Sequence, residues 1–252
     1  MARAAVLGRL TWRVGTVVEV RPESATARTL VLDVPGWPGH VAGQHLDVRL
    51  TAADGYQAVR SYSMASQSAG QRVEITVDEL PDGEVSPYLV EVAKPGDPVE
   101  VRGPIGGWFV WRPAQTEPVQ LVAGGSGIVP LRAMLRARAD VQSDQRAPMR
   151  LLYSVREPAV VLYGAELAEL AGAGDGTSVD YVYTRRAPDG WPAAPGRLDL
   201  ARLKDATIGP EQAPTCYVCG PTGFVEHAAD LLVDLGHNAD LIRTERFGPS
   251  GG

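Results

Sequence analysis

Apolar residues recur at every second position over the first part of the chain: Trp12, Val14, Thr16, Val18 and Val20, then Leu30, Leu32 and Val34, then Leu46, Val48 and Leu50. Val73, Ile75 and Val77, and then Val99 and Val101, continue the pattern. Period two turns one face of an extended segment to a core and the other to solvent, so each run predicts a half-buried antiparallel strand. Turn residues separate the runs, at Pro35-Gly36, Asp54-Gly55, Asp82-Gly83 and Pro95-Gly96-Asp97. No long helical stripe intervenes and only a short helix near residues 87–93 is expected, which makes a small closed sheet or barrel the simplest architecture.

Beyond Pro113 the rhythm changes. Short, nearly continuous apolar runs at Val119–Ala123, Arg150–Val155, Val179–Tyr183, Cys216–Cys219 and Leu241–Thr244 alternate with helical stretches around residues 130–140, 164–171, 199–206 and 222–235. Strands that are apolar throughout and alternate with helices predict a parallel sheet covered on both faces. The segment Arg112-Pro113-Ala114-Gln115-Thr116-Glu117-Pro118 reads as a linker, so the expected division is residues 1–112 and 113–252. No internal repeat or low-complexity segment is visible.

Composition narrows the classes. The 252 residues are 44% hydrophobic and 21% charged, enough to bury a core in each of two domains. The net charge of −6, with acidic excess in both halves, argues against nucleic acid as a partner. The stretch Met1–Arg9 has no apolar leader and no run approaches the roughly 18 apolar residues of a membrane span, so a cytoplasmic protein without membrane contact is expected. Cys216 and Cys219 are the only cysteines, too few for a disulfide framework or for the four thiolates of a two-iron cluster. An odd number of residues apart on a strand, they face opposite sides, so no dithiol pair and no metal site is expected.

Four segments carry candidate chemistry. In Arg60-Ser61-Tyr62-Ser63, alternation presents a fixed cation and a flat ring on one face, suited to a phosphate and a planar heterocycle; an ordinary surface strand would carry the same letters. In Gly83-Glu84-Val85-Ser86-Pro87, Ser86 fits a helix N-cap and Pro87 the first helical position, and free amides there suit a phosphate. The run Ala123-Gly124-Gly125-Ser126-Gly127-Ile128-Val129-Pro130 ends a strand and opens a helix. It departs from the Gly-x-Gly-x-x-Gly fingerprint, yet its glycines would let a pyrophosphate approach the main chain. Cys219-Gly220-Pro221-Thr222-Gly223-Phe224 repeats the arrangement after the fourth parallel strand, at the edge where open sheets bind ligands.

The ordered motifs Arg60-x-Tyr62-Ser63, Gly83-x-x-Ser86, Lys94-x-Gly96-Asp97 and Gly103-Pro104-x-Gly106 resemble the flavin domain of the ferredoxin–NADP reductase superfamily, and the similarity continues through Gly124–Pro130 and Cys219–Pro221, covering roughly residues 10–248. The resemblance implies an antiparallel β-barrel flavin domain followed by an α/β, Rossmann-like parallel-sheet nucleotide domain. It gives Arg60 and Ser86 to the flavin pyrophosphate, with Gly83 and Val85 in the same segment. Tyr62 would stack on the isoalloxazine beside Ser61, Ser63 would bond near flavin N5, and Ile75, Thr76 and Val77 would be backbone neighbours. Gly125, Ser126 and Gly127 would cradle the nicotinamide dinucleotide, and Cys219, Gly220 and Pro221 would lie beside its nicotinamide. Thr184 and Arg185 would meet a 2′-phosphate, with Arg156 and Arg197 nearby. Glu245 would be the acidic neighbour of the flavin and Phe247 the aromatic residue covering it; Ser63, Cys219, Glu245 and Phe247 are thus the catalytic candidates.

FAD is favoured over FMN because Ser66 and the Gly83–Ser86 segment provide for a pyrophosphate, and NADPH over NADH because guanidinium groups cluster where no acid grips a free 2′-hydroxyl. The implied activity takes a hydride from NAD(P)H and passes single electrons to a separate acceptor, a ferredoxin-type iron–sulfur protein supplying an oxygenase, with the reductase a monomer. Two alternatives stay open: a reductase of free flavin, ferric chelates or dioxygen, and a non-catalytic electron-transfer subunit of a larger complex.

Overall fold

A computed structural model describes residues 10–142 and 145–248. The stretch Met1–Arg9, read above for targeting signals, and residues 249–252 lie outside the described residues.

Six antiparallel strands form the first sheet: β1 (Trp12–Pro22), β2 (Ala27–Asp33), β3 (His45–Thr51), β4 (Gln57–Ser63), β5 (Arg72–Asp78) and β6 (Pro98–Ile105). Their order is β4-β3-β6-β1-β2-β5, and a bridge between Met64 and Ile75 joins the two outer strands, closing the sheet on itself. Leu30, Leu32, Leu46, Val48, Val73, Ile75, Val77, Val99 and Val101 all point into the barrel, as their alternation requires. β1 departs from expectation. Val14 is 59% exposed, while Gly15 and Val17 turn inward. The close approach at Gly15, where a Cβ would lie 2.9 Å from Val34 Cγ2, fixes that phase, and a bulge between Val17 and Glu19 then shifts it so that Val20 packs on the core. A helical turn at Tyr88–Val92 buries Leu89 and Val90 against the barrel, where the short helix was expected.

The second unit alternates strictly: β7 (Val119–Gly124), α1 (Ile128–Ala139), β8 (Met149–Val155), α2 (Gly164–Gly172), β9 (Thr177–Tyr183), α3 (Leu200–Asp205), β10 (Thr215–Pro221), α4 (Thr222–Asp234) and β11 (Ile242–Phe247). All five strands are parallel, in the order β11-β10-β7-β8-β9. One face, bearing Leu121, Leu151, Tyr217 and Cys219, packs under α1 and α2; the other, bearing Val122, Leu152, Cys216 and Val218, packs on α3 and α4. The two cysteines thus lie on opposite faces.

α1 is buried nearly all round because it is covered twice. Its inner side meets the sheet, and the barrel's Ala27, Ala42 and Ala65 join the same core. Phe109 and Trp111, which follow the last barrel strand, also pack there, and Tyr217 donates its hydroxyl to the Val110 carbonyl at 2.8 Å. Among the described residues no helix is long and apolar enough to cross a membrane.

Candidate active site

The carboxyl edge of the parallel sheet faces the barrel and carries the glycine-rich turns. β7 runs into a tight turn at Gly125–Gly127 and straight into α1, whose first amides have no side-chain cap. Gly125 has φ +54° with open space where a Cβ would stand, whereas a Cβ on Gly127 would lie 2.1 Å from the Cys219 carbonyl oxygen. The first glycine allows the left-handed turn and the second lets α1 press on β10. A Cβ on Gly124 would fall 2.5 Å from the Phe224 ring, which caps the adjoining β10–α4 turn.

On β11, period two sets Arg243, Glu245 and Phe247 on the barrel side. Phe247 packs against the α1 core. Glu245 stands opposite Cys219 in register, and its Oε1 reaches to 3.5 Å from Nδ1 of His45, the first residue of β3. His45 is in turn the cross-strand partner of Ser63. Residues from both units, Ser63 and His45 from one and Cys219 and Glu245 from the other, are therefore brought to one place. Glu245 Oε2 is buried and has no hydrogen-bond partner among the described residues, a costly arrangement for a carboxylate unless a ligand supplies a donor. Burial, and after it the charge of Glu245, pushes the Cys219 thiol well above its ordinary value, so it is a neutral packing group and not a nucleophile.

On β4 the guanidinium of Arg60 is half-exposed and ion-paired with Glu84, and Tyr56 donates to the same carboxylate at 2.6 Å. These two bonds hold the Glu84 carboxyl below the usual range, Tyr56 contributing most. Burial pushes the Tyr62 phenol up to about 12 against the opposing charge of Arg60 on the same face.

Several predicted hydroxyl ligands are already engaged. Ser61 donates to Asp47 at 2.7 Å, and Asp47 also receives Arg102 at 2.6 Å. Thr76 shares a 2.7 Å bond with Thr29 and receives the Tyr163 hydroxyl. Ser86 does not cap the following helical turn: the turn has no side-chain cap, and Ser86 Oγ instead accepts the Leu80 amide at 3.0 Å, closing the loop that holds Gly83 and the buried Val85. Ile75 and Val77 turn their side chains into the barrel, leaving only their main chain to a ligand.

The ends of β8 and β9 meet. Thr184 donates its amide to Val155 at 2.8 Å and Arg185 to the Arg156 carbonyl at 2.9 Å. The loop after them returns through a 3.0 Å bond from Gly196 to Tyr183, which brings Arg197 back to the same edge. Arg156, Arg185 and Arg197 are exposed and form no salt bridge among the described residues, although Arg156 lies close enough to Asp78 of the barrel to oppose the rise that burial causes in that carboxyl. Arg186 is paired with Glu157 at 2.8 Å.

Residues 15–110 match the family model of an oxidoreductase FAD-binding domain, and residues 121–230 that of an oxidoreductase NAD-binding domain. The chain belongs to the ferredoxin–NADP reductase superfamily. A relative called NADPH oxidoreductase from Mycobacterium tuberculosis is 33% identical over 243 residues, covering 94% of this chain and 60% of that one; the chain thus spans less than two thirds of that relative's length. The FAD/NAD-binding domain of a nitric oxide dioxygenase from Vibrio cholerae superimposes with a TM-score of 0.81 at 28% identity, covering 94% of this chain and 99% of the other. A cytochrome P450 reductase from Amycolatopsis gives 0.81 at 26% identity, over 98% of this chain and 73% of its own.

The chain accordingly carries both the FAD-binding and the NAD-binding domain of oxidoreductases of this superfamily. The chain's residues fit both groups: a buried carboxylate oxygen without a donor, an exposed arginine beside a half-buried tyrosine, and a glycine turn with open space at Gly125 leading into a helix start without a side-chain cap. Reading the sequence missed His45, Glu84, Arg132 and Tyr163. Arg132 alone left a trace, as a charge inside the apolar stretch of α1.

Proposed function

We propose that this reductase takes electrons from NADPH, in preference to NADH, through FAD to a separate ferredoxin-type iron–sulfur protein that supplies an oxygenase. The observation that carries the reading is the meeting of Ser63 and His45 with Cys219 and Glu245, the last with one buried oxygen still without a donor. The bound FAD supplies the chemistry, accepting the hydride carried at nicotinamide C4 and giving up its two electrons singly.

The chain supplies binding, orientation and exclusion of water. Arg60 holds the FAD pyrophosphate as a fixed cation, with the main chain of Gly83, Val85 and Ser86 beside it, and Tyr62 lies against the ring system. Ser61, Ile75, Thr76 and Val77 contribute main chain, since the side chains are engaged elsewhere or face the barrel core. Ser63 and Glu245 offer hydrogen bonds at the reacting edge. Gly125, Ser126 and Gly127 hold the dinucleotide pyrophosphate at the start of α1, and Thr184, Arg185, Arg156 and Arg197 take the 2′-phosphate. Cys219, Gly220 and Pro221 would shape the nicotinamide side as neutral surface, and Phe247 would be the aromatic residue next to the flavin. The unit division falls at residues 112 and 113, within the stretch between the two domain models.

Relatives support electron delivery to other redox centres: one is called a reductase of cytochrome P450, another an NADPH oxidoreductase. Purified protein should be yellow, be bleached anaerobically by NADPH faster than by NADH, and reduce cytochrome c faster once ferredoxin is added. Arg60→Ala should purify largely without flavin. A wild type that stays colourless after incubation with FAD overturns the proposal, and cytochrome c reduction indifferent to ferredoxin overturns the acceptor in favour of free flavin, ferric chelates or dioxygen.

A further inference from the structure

Arg132 lies in the middle of α1 and is only 3% exposed, where an unpaired charge would be intolerable. Its Nη2 reaches Glu166 Oε2 at 2.7 Å on α2 of the same unit. Its Nη1 crosses to the barrel, donating to the Ala65 carbonyl at 3.1 Å and standing 3.6 Å from Glu74 Oε2. The guanidinium lies over the Tyr163 ring, 4.1 Å from its centroid, and the Tyr163 hydroxyl donates to Thr76 of the barrel. Arg136 reinforces the seam, at 3.4 Å from Glu74 and 2.5 Å from Glu166, and the barrel's Arg21 holds Glu74 at 2.9 Å.

The placement of this seam matters more than its strength. Arg132 is five residues past Gly127, or about 7.5 Å along the helix axis. Ala65 is two residues past Ser63, at most about 7 Å along the chain. One side chain therefore ties the helix that opens at the glycine turn to the strand that ends at Ser63. The apolar part of the junction, where the barrel's Ala27, Ala42 and Ala65 join the core around α1, supplies an attraction that by itself has no direction. Hydrogen bonds and ion pairs with set geometry do have direction.

We propose that Arg132, supported by Tyr163, is a positioning residue that sets the separation and angle between the flavin-binding and dinucleotide-binding halves of the site. The inference rests on the function proposed above. Removing the clasp lets the two rings meet out of alignment while each half still binds its own ligand. Since a misplacement near 1 Å costs on the order of 100-fold in rate, the loss belongs in the transfer step and not in affinity.

The test uses FAD-loaded wild type, Arg132→Met, Arg132→Lys and Tyr163→Phe. Arg132→Met should keep its FAD content and bind NADP+ within about 2-fold of wild type, while the limiting rate of anaerobic bleaching by saturating NADPH falls about 10- to 100-fold. The long-wavelength charge-transfer absorbance formed when NADP+ is added to dithionite-reduced protein should weaken with it, which reports ring alignment without turnover. Arg132→Lys, which reaches one partner at a time, should fall between. Tyr163→Phe, which loses only the Thr76 bond, should show a smaller loss in the same direction, and it carries the test if Arg132→Met fails to fold. Unchanged rate and absorbance in the variants that fold, or losses that merely track FAD content, overturn the proposal. A colourless wild type would instead sink the underlying function, so the two failures are distinct.

Discussion

Replacing Gly127 by alanine isolates a single contact. Gly127 has φ −60° and ψ −12°, a conformation any residue adopts, so alanine brings no backbone strain and would by helix preference alone gain up to about 1 kcal/mol. Its methyl carbon, however, would stand 2.1 Å from the Cys219 carbonyl oxygen, 2.4 Å from that carbonyl carbon and 2.8 Å from the Gly220 nitrogen, all main-chain atoms that cannot rotate away. Real contacts of this kind hardly fall below 3.0 Å, so α1 must retreat from β10 by about 1 Å. Overpacking of that order costs about 1–3 kcal/mol net. A chain of this length loses roughly 2–4 °C in Tm per kcal/mol, so thermal unfolding of the holoprotein should shift down by about 2–12 °C. Gly125→Ala is the counterpart. With φ +54° and nothing nearby it meets only the left-handed penalty of roughly 1–2 kcal/mol, but places a methyl group where the proposed pyrophosphate approaches. Scanning calorimetry with titration of dinucleotide should therefore find Gly127→Ala the less stable and Gly125→Ala the weaker binder relative to its stability loss. An unchanged Tm for Gly127→Ala would refute the steric reasoning.

Two other outcomes follow from burial. His40 accepts the Trp37 indole N–H at Nδ1 (3.1 Å) and donates from Nε2 to the Ser66 carbonyl (2.9 Å), which fixes the neutral tautomer, and burial holds its pKa below the ordinary 6.5. The unfolded chain then binds the proton more readily, so this stability is present above about pH 6.5 and is lost as the pH falls through the lowered folded value. Tm measured from pH 7.5 to 5 should fall more steeply for wild type than for His40→Gln, the residual slope including buried His237, whose pKa is lowered as well; parallel profiles would contradict it. Burial pushes the Cys216 thiol up to about 12 and Cys219 well above its usual value. At pH 8 a pKa near 12 leaves only about one thiolate in ten thousand, so iodoacetamide should modify neither cysteine in native protein and both in urea, and prompt labelling of the native chain would show the burial to be wrong.

The strands and helices were legible because their signals are local. Period two from Leu30 to Val101 found β2, β3, β5 and β6, and continuous apolar runs between helical stretches found the parallel sheet, whereas β4 was visible only as an extended segment at Arg60–Ser63. The phase of β1 was misread because alternation alone does not say which face is buried, and a close approach at Gly15 together with a bulge outweighed the count of valines. Ser86 was read as a cap because serine before proline at a helix start favours one, yet a neighbouring loop amide, Leu80, claimed its oxygen.

Sequence alone determined the class of most elements, the opposite faces of Cys216 and Cys219, and the glycines where the chain turns tightly or packs closely, since each depends on the dihedrals and periodicity of a few adjacent residues. Only the tertiary structure decided the partners: Glu84 for Arg60, His45 for Glu245, and Ala65 and Glu74 for Arg132. These pairs join residues 24 to 200 positions apart. Which of many equivalent charges meets which is set by strand order, register and the docking of two units, and none of these is written in the spacing of either residue from its own neighbours.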